Sequence, residues 1–416
     1  MPPEVVSQPK RMSPGKEDNV KSRMMIAAMM LTAVSGWLRP AMAEEVWQTR
    51  TWDELKAEAQ ARADRSAYPL AGLRADDVRD VLGHITSLDR DEWATAWMRM
   101  GDRYMAKAKA EKTPAAARAD YFQAWRNYTL GRWPVPNAAK KLESYGKARE
   151  AFAAYGQLIE PKIERVRIPF EGKEVVGYLQ KPKGIRAPPV LINIGGVDQW
   201  KDSAADASRP MLEKGIAIFS VDMPGTGESP LGGQPGAERM YSAVIDYLLT
   251  RHDLDGHRLV VRGQSWGSYW SARVALAEPN RLRGAVFQSG PVDAYFQRAW
   301  QNDSLKTKEY LFDFVPSRLY ILGKASVEEM LDTMPTMALT QGGLIDKPTP
   351  PMLLIGGVHD TQTPISDLLL LMQHGTAKYA WINPTGGHMG RSASMKDEVI
   401  IEAVIMPWIT QQLATK

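Results

Sequence analysis

Hydrophobic and polar positions change their period near residue 160. From Trp47 to about Tyr155 the apolar residues recur at helical spacing: Trp52, Leu55, Ala59 and Ala63, then Trp93, Trp97, Met100 and Tyr104, then Tyr121, Trp125 and Tyr128. Thr113-Pro114-Ala115-Ala116 supplies a helix start, with a threonine cap and proline at the first helical position, and Pro134-Val135-Pro136 ends that segment. The aromatic stripes fit helix-on-helix packing. A sharper reading is that some of them line a pocket, because such a block has to lie against something larger. From Lys162 the pattern alternates over residues 163–170 and 175–180, two runs joined at Glu171-Gly172-Lys173, which predicts an antiparallel pair. Unbroken apolar runs follow at Pro189–Ile194, Ile216–Val221, Leu259–Val261, Ala285–Gln288, Met352–Ile355 and Tyr379–Ile382. Strands with both faces buried read this way, and the helical segments between most of them predict parallel crossovers.

The expected fold class is therefore α/β: a mostly parallel, doubly wound sheet over residues 161–416, preceded by a helical domain over residues 44–160. The stretch from about 291 to 350 is too long for one crossover. Its Tyr295, Phe296, Trp300, Tyr310, Phe312 and Phe314 suggest a helical lid inserted over the carboxyl ends of the strands. Tyr295, Phe296 and Trp300 are its candidate substrate contacts.

Chemistry enters where the run Leu259-Val260-Val261 leads into Gly263-Gln264-Ser265-Trp266-Gly267 and a helix-compatible segment stopped by Pro279. A Gly-x-Ser-x-Gly turn between a strand and a helix is the context of a nucleophile elbow, which lifts the serine hydroxyl clear of the sheet. A serine hydroxyl is a poor nucleophile at neutral pH, so it needs a base, and the base needs an orienting acid. Of six histidines, His388 stands in the glycine-rich loop Asn383–Gly390, right after the last expected strand. Asp360 follows the run Met352–Ile355, 28 residues before His388. The chain order Ser265, Asp360, His388 is one of the three common serine-hydrolase orders. The amide of Trp266 opens the next helix and can hold an oxyanion; a second donor is expected from Gly195-Gly196-Val197, either Gly196 or Val197. His359 adjoins the acid and has no assigned role. Asp222–Ser229 forms a glycine-rich turn that lacks the lysine of a phosphate cradle.

Composition narrows the picture. The 416 residues include no cysteine, which excludes disulfides, thiol catalysis and cysteine-bound metal. The formal charge is +4, but Lys10, Arg11, Lys16, Lys21, Arg23 and Arg39 against Glu4, Glu17 and Asp18 place +3 of it in residues 1–43. The remainder is nearly neutral and offers no basic face for nucleic acid. Residues 1–43 read as a signal peptide: a net-basic start, the apolar run Met24–Leu38, and Ala41-Met42-Ala43 as the cleavage site. That run is shorter than the ~20 residues of a spanning helix, so the mature protein is expected in the periplasm or secreted, with no stable membrane insertion.

Asp222-x-Pro-Gly-x-Gly-x-Ser229, Gly263-x-Ser-x-Gly267, Asp360 and His388 together resemble the α/β-hydrolase superfamily over about residues 162–416. Ala117–Phe122, Lys147–Phe152 and the Gly195-Gly196-x-Asp198 loop resemble a narrower group with a helical N-terminal region. That group includes dihydroxypseudooxynicotine hydrolase and fungal polyketide-shortening hydrolases. The resemblance implies an active site enclosed between helical region and core. In members that cleave carbon–carbon bonds it also implies an extra acid, for which Asp293 is a candidate. The expected function is hydrolysis of carboxylic esters of a small, apolar or aromatic molecule, with no metal or organic cofactor. Carbon–carbon bond hydrolysis next to a ketone, and amide or peptide hydrolysis, are the alternatives with the same three residues. A homodimer is a further expectation.

Overall fold

The computed structural model describes residues 49–306, 308 and 310–414. The signal-peptide reading of residues 1–43, with cleavage after Ala43, lies outside them. Five helices come first: α1 (Trp52–Asp64), α2 (Ala75–Leu82), α3 (Arg90–Ala110), α4 (Pro114–Arg132) and α5 (Ala139–Gln157). Local chemistry sets their starts. Thr51 and Glu54 form a reciprocal capping box, Asp89 accepts from the Glu92 amide, and Thr113 caps α4 with Pro114 at its first position. The long helices α3, α4 and α5 pack together. Gly101 lets α4 come so near α3 that a Cβ there would sit 2.5 Å from the Tyr128 ring.

The sheet has eight strands in the order β1-β2-β4-β3-β5-β6-β7-β8. They are β1 (Glu164–Phe170), β2 (Lys173–Gln180), β3 (Pro189–Ile194), β4 (Ala217–Val221), β5 (Asp255–Gln264), β6 (Gly284–Gln288), β7 (Met352–Gly357) and β8 (Tyr379–Asn383). β1 pairs antiparallel with β2, and β2 antiparallel with β4; all other pairs are parallel. The β1–β2 hairpin turns on Glu171 (φ 46°) and Gly172 (φ 74°), two left-handed residues whose twist matches that of the flanking strands.

Helices α6 (Lys201–Ala207) and α7 (Pro210–Glu213) follow β3, α8 (Arg239–Thr250) precedes β5, and α9 (Trp266–Ala277) follows it. After β7 come α13 (Ile365–Gln373) and, beyond β8, α14 (Asp397–Ile400) and α15 (Met406–Ala414); the intervening α10 (Arg298–Ser304), α11 (Phe314–Leu322) and α12 (Val327–Thr333) lie between β6 and β7. Successive residues of one strand go to opposite cores. Ile192, Val261, Phe287 and Leu354 pack with α8 and α9, while Leu191, Val260, Val286 and Leu353 pack with α15 through Trp408, Ile409 and Leu413. That two-sided burial is why these strands are apolar without a break.

The segment between β6 and β7 is tied down at its start and near its middle. The buried carboxylate of Asp367, on α13, accepts the amides of Val292, Asp293, Ala294 and Tyr295. Tyr310, Leu311 and Phe312 pack with Trp93, Trp97 and Trp133 of the helical block. Buried Asp313 meets Lys141 at 2.7 Å and Arg90 at 2.8 Å.

Candidate active site

β3 lies between β4 and β5, so the chain leaves it toward one neighbour and returns past it to the other. The loops that leave β3 and β5 then part at the carboxyl edge of the sheet and open a crevice there. Ser265 occupies the turn from β5 to α9 with φ 52° and ψ −129°. Its amide donates to the Gln288 carbonyl at 2.9 Å, which pins the turn to β6. Glycine on either side makes the turn possible. A Cβ on Gly267 would stand 2.1 Å from the Gly195 carbonyl oxygen, and one on Gly263 would stand 2.2 Å from that of Gly267.

Three of the residues singled out in the sequence meet here. His388 Nε2 lies 2.9 Å from Ser265 Oγ, and His388 Nδ1 lies 2.9 Å from Asp360 Oδ2. Asp360 Oδ1 accepts the amides of Gln362 and Thr363, both at 2.9 Å, and Oδ2 accepts the Thr363 hydroxyl at 2.8 Å. Burial pushes the Asp360 carboxyl up, but the His388 imidazole and these donors outweigh it and hold the group below its ordinary range. The carboxylate stays ionised and faces Nδ1, which leaves Nε2 for the serine.

Trp266 is the first residue of α9, so its amide has no acceptor within the helix. Gly196 packs against the nucleophile, with its virtual Cβ 3.2 Å from Ser265 Cβ and 3.8 Å from Oγ. Gly196, Val197, Ser265, Trp266 and His388 all border one cavity, with an empty volume of about 770 Å³. Tyr68 from the helical block and Tyr295, Tyr310, Phe314 and Arg318 from the β6–β7 segment complete much of its wall.

A scan against family models matches residues 15–384 to the FrsA-like esterases. The chain belongs to the FrsA-like esterase family. It is 28% identical over 260 residues to the α/β hydrolase ucsC of an Acremonium species, an alignment that covers 55% of this chain and only 52% of that protein. Against esterase FrsA of Photobacterium profundum it is 23% identical over 412 residues, covering 95% and 93%. The crystal structure of 2,6-dihydroxy-pseudo-oxynicotine hydrolase superposes with a TM-score of 0.69 at 19% identity, covering 82% of this chain and 94% of the other. That likeness establishes the shared α/β-hydrolase fold.

Within this family member, two sequence-based expectations are corrected. Phe296 is fully buried in the core against Tyr269 and Tyr295, and Trp300 packs on the same core; neither borders the cavity, whereas Tyr295 does. Asp293 turns to the Thr340 hydroxyl and is also absent from the cavity wall.

A carboxylate that does reach the wall is Asp198, which follows the Gly195-Gly196-Val197 stretch. Its Oδ2 accepts from the hydroxyls of Tyr68 and Tyr310 and from Trp133 Nε1, while Arg132 donates to its carbonyl at 2.8 Å. Burial, and then the charge of Asp198, push both tyrosine hydroxyls well above their ordinary range, so they remain protonated donors. The loop motif marks this stretch, but Tyr68 and Tyr310 lie 130 and 112 residues away; Tyr68 carries no local signal and Tyr310 stands out only as one of the lid aromatics.

Beneath His388 lies another support. Gln288 Nε2 donates to the Met389 carbonyl at 3.1 Å and Gln288 Oε1 accepts from buried Arg262 at 2.9 Å, while Ser289 Oγ accepts the Met389 amide at 2.9 Å.

Proposed function

We propose that this protein hydrolyses carboxylic esters by nucleophilic catalysis at Ser265. The observation that carries the reading is the unbroken chain Ser265 Oγ, His388 and Asp360, with 2.9 Å at each link, set on an elbow at the floor of the cavity. His388 Nε2 takes the serine proton as Oγ attacks the ester carbonyl. The tetrahedral oxyanion is held by the Trp266 amide and by Gly196 or Val197, which border the cavity beside Ser265. His388, oriented by Asp360, then protonates the departing alcohol and next activates water to release the acid from Ser265. A cavity enclosed by the helical block, the β6–β7 segment and the strand-end loops suits a small molecule. Tyr295, Phe314 and Trp266 on the wall support an apolar or aromatic portion.

Labelling with a fluorophosphonate, followed by peptide mapping, tests the reading. Modification is expected at Ser265, and both labelling and hydrolysis of p-nitrophenyl esters are expected to vanish in Ser265→Ala. A folded wild-type protein left unlabelled at Ser265 refutes it.

A further inference from the structure

We infer that the substrate carries a carboxylate and that Arg318, in the segment between β6 and β7, receives it. This rests on the ester-hydrolase reading and names the class of ester. Arg318 is 1% exposed and forms part of the wall of the cavity that holds Ser265. Its Nη1 is occupied by neutral groups, the Gln301 side-chain oxygen and the Ser304 hydroxyl, the latter at 2.9 Å. Its Nε and Nη2 are buried and make no well-formed hydrogen bond among the described residues, although the Tyr295 hydroxyl stands close enough to act on the guanidinium. These two N–H groups share one edge of the guanidinium plane, the edge that grips both oxygens of a carboxylate side-on.

The plane itself is fixed by stacking, with Cζ 3.9 Å from the centre of the Phe314 ring. Among the described residues no carboxylate pairs with it, and the ionisable groups that act on it are the hydroxyls of Tyr295 and Tyr310. A buried guanidinium without a counter-charge is a costly arrangement, which an anion entering the cavity would relieve.

The other charged groups of the wall are already matched. Arg391 pairs with Asp397 at 3.3 Å, His388 with Asp360, and Asp198 is ringed by Tyr68, Tyr310 and Trp133. Arg318 is the cation of this wall, among the described residues, that is left to a ligand. A non-ionic ester fills the same volume without using that edge; an ester bearing a carboxylate uses it.

The test compares matched esters on the full-length protein. For a carboxylate on the acyl side, mono-p-nitrophenyl glutarate is set against p-nitrophenyl pentanoate; for one on the leaving-group side, 3-acetoxybenzoate is set against phenyl acetate. Wild type is expected to favour the anionic member of at least one pair by roughly 10- to 100-fold in kcat/KM, the range of a desolvated charge-assisted bond. Arg318→Met is expected to lower kcat/KM for the anionic member at least about tenfold more than for its neutral partner, and so to abolish the preference, with Arg318→Lys keeping only part of it. Should Arg318→Met fail to fold, the wild-type ratios and Arg318→Lys decide. No preference in either pair, or an equal loss on both members in a folded variant, overturns the inference while leaving the hydrolase reading intact. If wild type cleaves neither ester and resists fluorophosphonate, the hydrolase reading is what fails. Glutarate binding, measured calorimetrically on wild type and Arg318→Lys, then judges the anion site: unchanged affinity rejects it, and weaker binding to the lysine variant upholds it.

Discussion

Ser265 keeps a left-handed backbone that a residue with a side chain rarely adopts, and it does so because the surrounding glycines let three loops close on it. Gly267→Ala therefore has a definite expected outcome. The new methyl meets backbone at Gly195, not a side chain that can swing aside, so the loop bearing Gly196 must shift. We expect a loss of about 1–3 kcal/mol in a denaturant titration, together with slower fluorophosphonate labelling of Ser265. Asp360→Asn tests the other end of the chain. The amide keeps the volume but loses the charge that holds His388 in its working tautomer, so kcat on p-nitrophenyl butyrate should fall on the order of 10⁴-fold with the melting temperature little changed. Ser265, Asp360 and His388 were readable because each follows directly on an apolar run and their chain order is restrictive. Asp198 was only half readable: its loop stood out, but its partners did not.

Elements are joined by buried charge at two places, and both respond to acid. Burial pushes the Asp313 carboxyl up, but Lys141 on α5 and Arg90 on α3 outweigh it and hold it at about 2. Burial likewise raises Glu228, while Lys201, Arg149 and Arg165 bring it down to about 2. A folded-state value below the unfolded one means that the stabilisation is fully present above pH about 4, where the unfolded carboxyl is ionised, and is lost as pH falls toward about 2. Chemical denaturation at fixed salt should show the folding free energy dropping across that window, and less steeply in Asp313→Asn. Removing only the ammonium in Lys141→Met leaves Asp313 buried with Arg90 alone; a cost of about 3 kcal/mol is expected from the shift in denaturation midpoint. At this scale the sequence predicted the helical block, the hairpin turn at Glu171-Gly172 and the insertion after β6. It assigned Phe296 and Trp300 to the pocket, since an aromatic residue in a lid looks the same in sequence whether it turns to the cavity or to the core.

For the molecule as a whole, the helical block shares its interior with the rest of the described chain. Trp93, Trp97 and Trp133 pack with Tyr310 and Phe312, Phe152 and Tyr155 with Tyr178, and Tyr145 with Trp200. A fragment starting at residue 161 would expose those partners, so it should be insoluble or bind a hydrophobic dye, and the intact chain should melt in one calorimetric transition. Two well-separated transitions would contradict this. The sequence by itself determined the alternation of strands and helices, the elbow, and the acid and base at strand ends, because period and turn chemistry act over a few neighbouring residues. Only the tertiary structure decided which distant side chains share the cavity. Tyr68, Tyr310 and Arg318 come together because the helical block and the β6–β7 segment close over one sheet edge, and no local pattern encodes which side of a packed loop or helix will look into a pocket.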